Sequence, residues 1–202
     1  MKINNDYFMN FAVVVLVISI LLFGFSLFNF VKKPFTGHAT DTAQTYVDVE
    51  GEASIEFTTN VTGWGTGAVN SSFDSAILVT NGTVTHGNWS SNNNPLYLEN
   101  VGNVNASLDL KADSDADGFI GGTRDGGPLF QIKVTNNESN SCPTIGNFSS
   151  FQDIDTTDRR TCEEFEFTDT KDSLQIDIYL RVPGDAPPGN KTAIITATAE
   201  VV

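Results

Sequence analysis

From Thr45 to the C-terminus, apolar and polar positions alternate in twos; from Phe11 to Val31 they do not alternate at all. Period-two alternation predicts β-strands with one face in a core and one in water. The clearest case sets Leu174, Ile176, Ile178, Leu180 and Val182 against Gln175, Asp177, Tyr179 and Arg181. Val104, Ala106, Leu108 and Leu110 alternate in the same way with Asn103, Asn105, Ser107 and Asp109. Further strands are predicted over Thr45–Glu50, Ala53–Thr58, Ser75–Val79, Leu96–Leu98, Pro128–Val134, Glu163–Thr168 and Lys191–Val202. Turn signals separate them: Gly51, the Gly63–Gly67 stretch, Asn81-Gly82 and the rigid Pro183–Gly189 turn. Asn136–Thr161 reads as loop, and no amphipathic helical run follows residue 38. Many short strands with turn-rich gaps predict an all-β body over 45–202, a two-sheet β-sandwich of jelly-roll or immunoglobulin-like topology.

The uncharged stretch Phe11–Val31 predicts one N-terminal helix. At the helical rise it spans roughly 31 Å, about the thickness of a bilayer's hydrocarbon core. It is apolar all round, whereas a core helix of a soluble domain shows a polar face. Residues 1–33 therefore read as a transmembrane or signal-anchor segment that binds the lipid bilayer through Phe11–Val31, and 34–44 as a polar linker. A cleaved secretory signal competes with the retained anchor, because Pro34 and Thr36–Ala39 offer a small-residue cleavage region. Lys32 and Lys33 flank the stretch on its C-terminal side, which by charge alone places the body in the cytoplasm.

Two other features outweigh that flank. Asn-x-Ser/Thr occurs at Asn60, Asn70, Asn81, Asn88, Asn105, Asn137, Asn147 and Asn190, always after the apolar stretch. Such sequons are glycan acceptors on the exposed surface of an exported chain; the competing reading is that Asn- and Thr-rich composition gathers them. The sole cysteines, Cys142 and Cys162, both lie in the body. An even pair suggests a disulfide in an oxidising compartment, with two buried free thiols as the alternative. The body is thus expected outside the cell, membrane-anchored, or secreted and surface-assembled if the signal is cleaved. Residues 34–202 carry 8 basic and 24 acidic side chains. That balance argues against nucleic acid or anionic lipid as a partner of the body.

Chemistry enters at one stretch. Asp113-Ser-Asp115-Ala-Asp117-Gly118-Phe-Ile120 has the D-x-D-x-D-G spacing of a calcium loop. The twelfth position, normally a bidentate Glu, is Arg124, with Asp125 one residue later. Asp113, Asp115, Asp117 and Asp125 are the candidate ligands for Ca²⁺; the alternative is an acidic Asp/Gly turn without an ion. No other cofactor is expected. His38 and His86 belong to no catalytic motif, so no enzyme is expected. Trp64 and Trp89 could stack on sugars, although core and turn-covering roles are the commoner use of such rings.

Two stretches look familiar. Leu96-Tyr-Leu-Glu-Asn-Val-Gly-Asn-Val-Asn-Ala-Ser-Leu-Asp-Leu110 resembles a strand pair of exported β-sandwiches, namely matrix proteins of the TasA/camelysin type and archaeal bundling-pilus subunits. The ending Val182-Pro-Gly-Asp-Ala-Pro-Pro-Gly through Thr198 resembles the close of many bacterial and archaeal surface domains. The resemblance implies a jelly-roll or immunoglobulin-like ectodomain, sometimes polymerised by one subunit donating a strand to the next. Camelysins are described as proteases, but no zinc-ligand set is present here to carry that activity over.

The sequence thus predicts a non-enzymatic membrane-anchored surface protein with a structural, envelope or attachment role. Its expected partners are the bilayer, itself in a filament or surface lattice, and cell-surface glycans. The alternatives are a calcium-dependent adhesin or carbohydrate-binding module and, remotely, an envelope hydrolase.

Overall fold

A computed structural model describes residues 12–22 and 44–202. The chain divides into two compact units, Met1–Asp48 and Val49–Val202. In the first, residues 12–22 form a helix, α1, with exposed side chains. Among the described residues no helix is long and apolar enough to cross a membrane. The rest of the expected Phe11–Val31 span, the Lys32-Lys33 flank, His38 and nearly all of the 34–44 linker lie outside the described residues.

The second unit is mostly β and antiparallel. Its central strand is the one with the cleanest alternation, Ser173–Pro183 (β9), in which Leu174 and Ile176 are fully buried. Along one edge β9 pairs with Leu129–Asn136 (β6), from Leu129↔Arg181 to Asn136↔Leu174. β6 in turn carries the short Gln152–Asp153 (β7). The other edge of β9 is shared. Its first half pairs with Leu96–Asn100 (β4), and its second half with Ser75–Val79 (β2). Beyond these lie Ile55–Thr59 (β1) on β4 and Val84–Thr85 (β3) on β2.

The sheet therefore forks where β2 and β4 part, and Thr80 fills the fork. Its backbone N–H donates to the Ile178 carbonyl, and its hydroxyl accepts from the Ile178 N–H and donates to Asp177. Thr80 is fully buried. A buried backbone N–H must be paired, and at the fork no strand can pair that of Ile178, so a side-chain oxygen does.

The second sheet has three strands, in the order Ile195–Val201 (β10), Ala106–Ala112 (β5), Arg159–Phe165 (β8). Leu108, Leu110 and Phe165 from this sheet join Leu98, Ile132, Leu174 and Ile176 from the first in one buried cluster. Two antiparallel sheets over a shared core are consistent with a β-sandwich.

Several strands depart from the sequence reading. Thr45–Glu50 has strand-type alternation but no strand partner among the described residues; Tyr46 is 85% exposed and Val47 and Val49 are each 78% exposed. β8 begins inside the stretch read as loop, and β3 and β7 are also additional. A four-residue helix, Ala116–Phe119 (α2), and a 3₁₀ turn, Arg124–Gly126, interrupt the expected absence of helix after residue 38.

Candidate functional site

The best chemical motif of the sequence, the Asp-rich loop, folds as a polar joint. Asp115 is the N-cap of α2, and its Oδ1 accepts from the Gly118 N–H at 2.8 Å. A short side-chain oxygen at this position satisfies a helix N–H that has no partner within the helix. Asp113 Oδ1 accepts from the Ile194 N–H at 2.9 Å, tying the loop to the approach of β10. Asp125, at φ +53°, accepts from the Ser75 hydroxyl through Oδ2 at 2.6 Å. Asp117 makes no such link. Among the described residues no group of three or more His, Cys, Asp or Glu is placed to hold a metal ion. Three of the four candidate ligands thus point at separate protein donors.

Beyond the loop's acidic residues, its next segment builds an anion nest. The N–H groups of Thr123 and Arg124 and the Thr123 hydroxyl all donate to the Asp185 carboxylate, at 2.8–3.0 Å. Successive backbone N–H groups of this kind make a concave anion site. The three donors hold the Asp185 carboxyl down at about 2. Gly122, at φ +96°, has no room for a side chain: a Cβ there would meet Asp185 Oδ1 and Pro183 Cβ, each at 2.9 Å. Arg181 Nε donates to the Gly127 carbonyl beside it. Asp185 was not among the residues singled out from the sequence; its place in a Pro-Gly-Asp turn was the available signal.

The Asn-x-Gly stretch that carries the family resemblance is also a joint. Asn100 is 1% exposed. Its Nδ2 donates to the carbonyls of Val104 and Phe165, and its Oδ1 accepts from the Gly102 N–H. One side chain thus links the end of β4, the start of β5 and the end of β8, where the chain passes from one sheet to the other. Asn103 clamps the backbone before β1, accepting from Glu52 N–H and donating to the Glu50 carbonyl. A Cβ at Gly102 would collide with the Glu52 carbonyl.

Cys142 and Cys162 form a disulfide across a sequence separation of 20. It ties the long loop to β8, and both cysteines are buried. Ile145 bridges Cys162, so the same loop covers the outer edge of β8. The outer edge of β10 has no such cover among the described residues. On its inward face Ile195, Ala197 and Ala199 are only half-buried, and Val201 is 55% exposed.

The sequons divide by what their side chains do. Asn105, expected on the free polar face of β5, is half-buried; Nδ2 donates to Glu164 Oε1 and Oδ1 accepts from the Phe167 N–H. Asn137 Nδ2 donates to Ser173 Oγ at 3.0 Å, and Asn147 Nδ2 to the Arg160 carbonyl at 2.7 Å. Asn60, Asn70, Asn81, Asn88 and Asn190 are exposed.

The tryptophans are packing elements. Trp64 is 8% exposed, and its indole N–H finds no acceptor among the described residues. Trp89 is half-buried, with its ring against Gly67 and Gly87, where a Cβ would overlap it. His86, at φ +60°, stacks on the partly exposed Phe73 with ring centroids 3.8 Å apart. No family model, curated protein or solved structure matches the chain.

Proposed function

We propose that this chain is a non-enzymatic cell-surface protein, exported, held at the membrane by Phe11–Val31, and used to build envelope structure by assembling copy to copy. The paired sheets are read as a β-sandwich that takes a strand from a neighbour. The observation that carries the reading is the imbalance between the sheets. Seven strands face three, and β10, at the open edge of the three, leaves its inward side chains incompletely covered. An uncovered sheet edge is a template for another strand. The same chain holds a strand-patterned segment without a strand partner among the described residues, Thr45–Glu50. Laid along β10 of a second copy, Val47 and Val49 would fall on one face. Each would gain on the order of 1.5–3 kcal/mol if fully buried there. The disulfide and the eight sequons support the oxidising, exported side of the reading.

The test uses full-length protein extracted in detergent. Sedimentation across a hundredfold concentration range is expected to show growing assemblies, and Val47→Asp with Val49→Asp to return the protein to single copies. A wild-type protein that stays single at every concentration overturns the assembly.

A further inference from the structure

The geometry points to a division of labour among the eight sequons: Asn60, Asn70, Asn81, Asn88 and Asn190 accept N-linked sugar, while Asn105, Asn137 and Asn147 stay bare and serve as clamps. This rests on the exported reading above, since only an exported chain meets the donor. The reaction needs an activated sugar, a lipid-linked oligosaccharide phosphate or pyrophosphate. The bond between the sugar C1 and the phosphate oxygen breaks, and C1 bonds to Asn Nδ2. Nδ2 gives up one proton, and the lipid phosphate leaves with the electron pair of the broken bond. An acceptor must therefore present Nδ2 to a bulky enzyme and afterwards have room for a sugar in the same place.

Asn137 and Asn147 are exposed and Asn105 is half-buried, but in all three Nδ2 is engaged by a neighbouring element. Asn105 is half-buried with its two polar atoms engaged by Glu164 and Phe167 at the end of β8. Its carbonyl also accepts from the Val202 N–H. A sugar on Nδ2 would have to displace Glu164. Asn147 donates over the β8 backbone to Arg160, and its own N–H donates to the same carbonyl. Asn137 points its amide at Ser173 Oγ, where its N–H also binds the Ser173 carbonyl. In each case the amide is turned toward a neighbouring strand.

The five acceptors present the opposite arrangement. No Nδ2 among them donates a hydrogen bond to any described residue; all five are exposed, as are Asn137 and Asn147, so the free Nδ2 and not exposure sets them apart. Two have only the carbonyl end of the amide held, which leaves Nδ2 projecting. Asn81 Oδ1 accepts from the Thr83 N–H at 3.0 Å, inside its own sequon, and Asn88 Oδ1 accepts from the Ala68 N–H at 2.6 Å. Four of the five also share one region. Asn70 N–H bonds the His86 carbonyl, Asn88 N–H bonds the Ala68 carbonyl, and Ser90 N–H bonds the Trp64 carbonyl. Asn94 and Asn92 hold Val61 and Thr62 in the same way. The segment after β1 and the segment around β3 are thereby zipped together, and four sugars would coat this one patch.

Protein purified from its native envelope is digested after thiol alkylation, and every sequon peptide is weighed. Sugar mass is expected on the peptides of the five acceptors, none on those of the three clamps, and no alkylation of Cys142 or Cys162. Sugar on Asn105, Asn137 or Asn147 overturns the division and leaves export standing. Eight bare sequons with the disulfide intact overturn the modification alone. Eight bare sequons with both thiols alkylated overturn export itself. As a second arm, Asn70→Gln is expected to remove one glycan mass without moving the Tm, whereas Asn105→Gln lowers the Tm with no change in glycan mass.

Discussion

Replacing Thr80 by Val removes one hydroxyl from the point where the large sheet forks, and it keeps the volume of the side chain. In the native protein that oxygen accepts from Ile178 N–H at 2.9 Å and donates to Asp177 at 3.1 Å. Without it the buried Ile178 N–H is orphaned, which costs about 1–3 kcal/mol. Asp177, 7% exposed, loses one donor but keeps Gln175 at 3.0 Å and Lys133 at 3.9 Å. Its remaining partners make the loss smaller than the 1.5–3 kcal/mol typical of hydrogen bonds to charged groups. The two losses sum to roughly 3 kcal/mol. For a domain of this size, that is a fall in Tm of about 6–12 °C. Thr80→Ser keeps the hydroxyl and removes a methyl group, worth about 1 kcal/mol. The assay is urea unfolding of both variants with the disulfide intact. Thr80→Val should be the less stable by about 2 kcal/mol, with an unchanged m-value. A double-mutant cycle with Asp177→Asn should show coupling. If Thr80→Val proves as stable as Thr80→Ser, the fork is not held by this hydroxyl and the hydrogen-bond account is wrong.

Cys142→Ser with Cys162→Ser should cost about 3 kcal/mol, from the 20-residue separation of the pair and the chain entropy of the unfolded state. Because Phe148 and Ile154 stay buried in the same loop, near-UV circular dichroism should remain native-like in buffer. Burial and a hydrogen bond shared with Glu138 raise the Asp172 carboxyl. The folded state therefore holds that proton more tightly than the unfolded chain, and stability declines as pH rises from about 4 through the raised value. Asp172→Asn should remove this decline and stabilise the protein at pH 7 in thermal melts. Asp185 behaves in the opposite sense: its contribution is present above the ordinary carboxylate value of 3.8 and is lost as pH falls through about 2. Asp185→Asn should thus lower the Tm at pH 6 and have no effect at pH 1.5. EDTA should leave the Tm unchanged, since Asp113, Asp115 and Asp125 each bind a protein donor.

The alternation of β9, β5 and β10 was legible because strands with one buried face write their period into the sequence. The cysteine pair was legible from its location alone. Thr45–Glu50 misleads for a physical reason: alternation marks a segment fit to pair, and whether it pairs depends on an edge being within its reach, which its own pattern does not record. The first half of β8 was hidden by its bulges, while its end lies in the strand read over Glu163–Thr168. Its register slips twice against β5, so Thr161 and Cys162 are both buried in succession and the period breaks. The acidic loop shows a different ambiguity. Asp followed three residues later by Gly serves a metal loop and a helix cap equally well, because both need a short oxygen donor and a tight turn. Only the partners distinguish them, and Ile194 and Ser75 are distant in sequence. Thr80 carried no signal, and Asn100 none beyond its place in the Asn-x-Gly stretch, since a buried polar side chain looks like a surface one until its neighbours are known.

Asn100 bears directly on what the family resemblance can mean. The Asn-x-Gly stretch is one of the two whose pattern suggested that resemblance. In the structure its Asn satisfies two carbonyls and one N–H at the crossing between sheets, and its Gly admits the Glu52 carbonyl. Any chain that must turn from a strand of one sheet into a strand of the facing sheet meets the same unpaired backbone groups, and one buried amide answers all three. Unrelated sequences can therefore arrive at this motif, which speaks for a sheet-to-sheet corner rather than for a task. Asn100→Asp tests that directly. The carboxylate keeps the Gly102 N–H but cannot donate to Val104 and Phe165, leaving two carbonyls facing a buried charge. The expected loss is about 3–5 kcal/mol, the range for an uncompensated buried charge, with recovery as pH falls and complete by about pH 4, as the group protonates and regains a donor. A variant unaffected at pH 7 would show that Asn100 is not the joint, and the motif would then need a role on the surface.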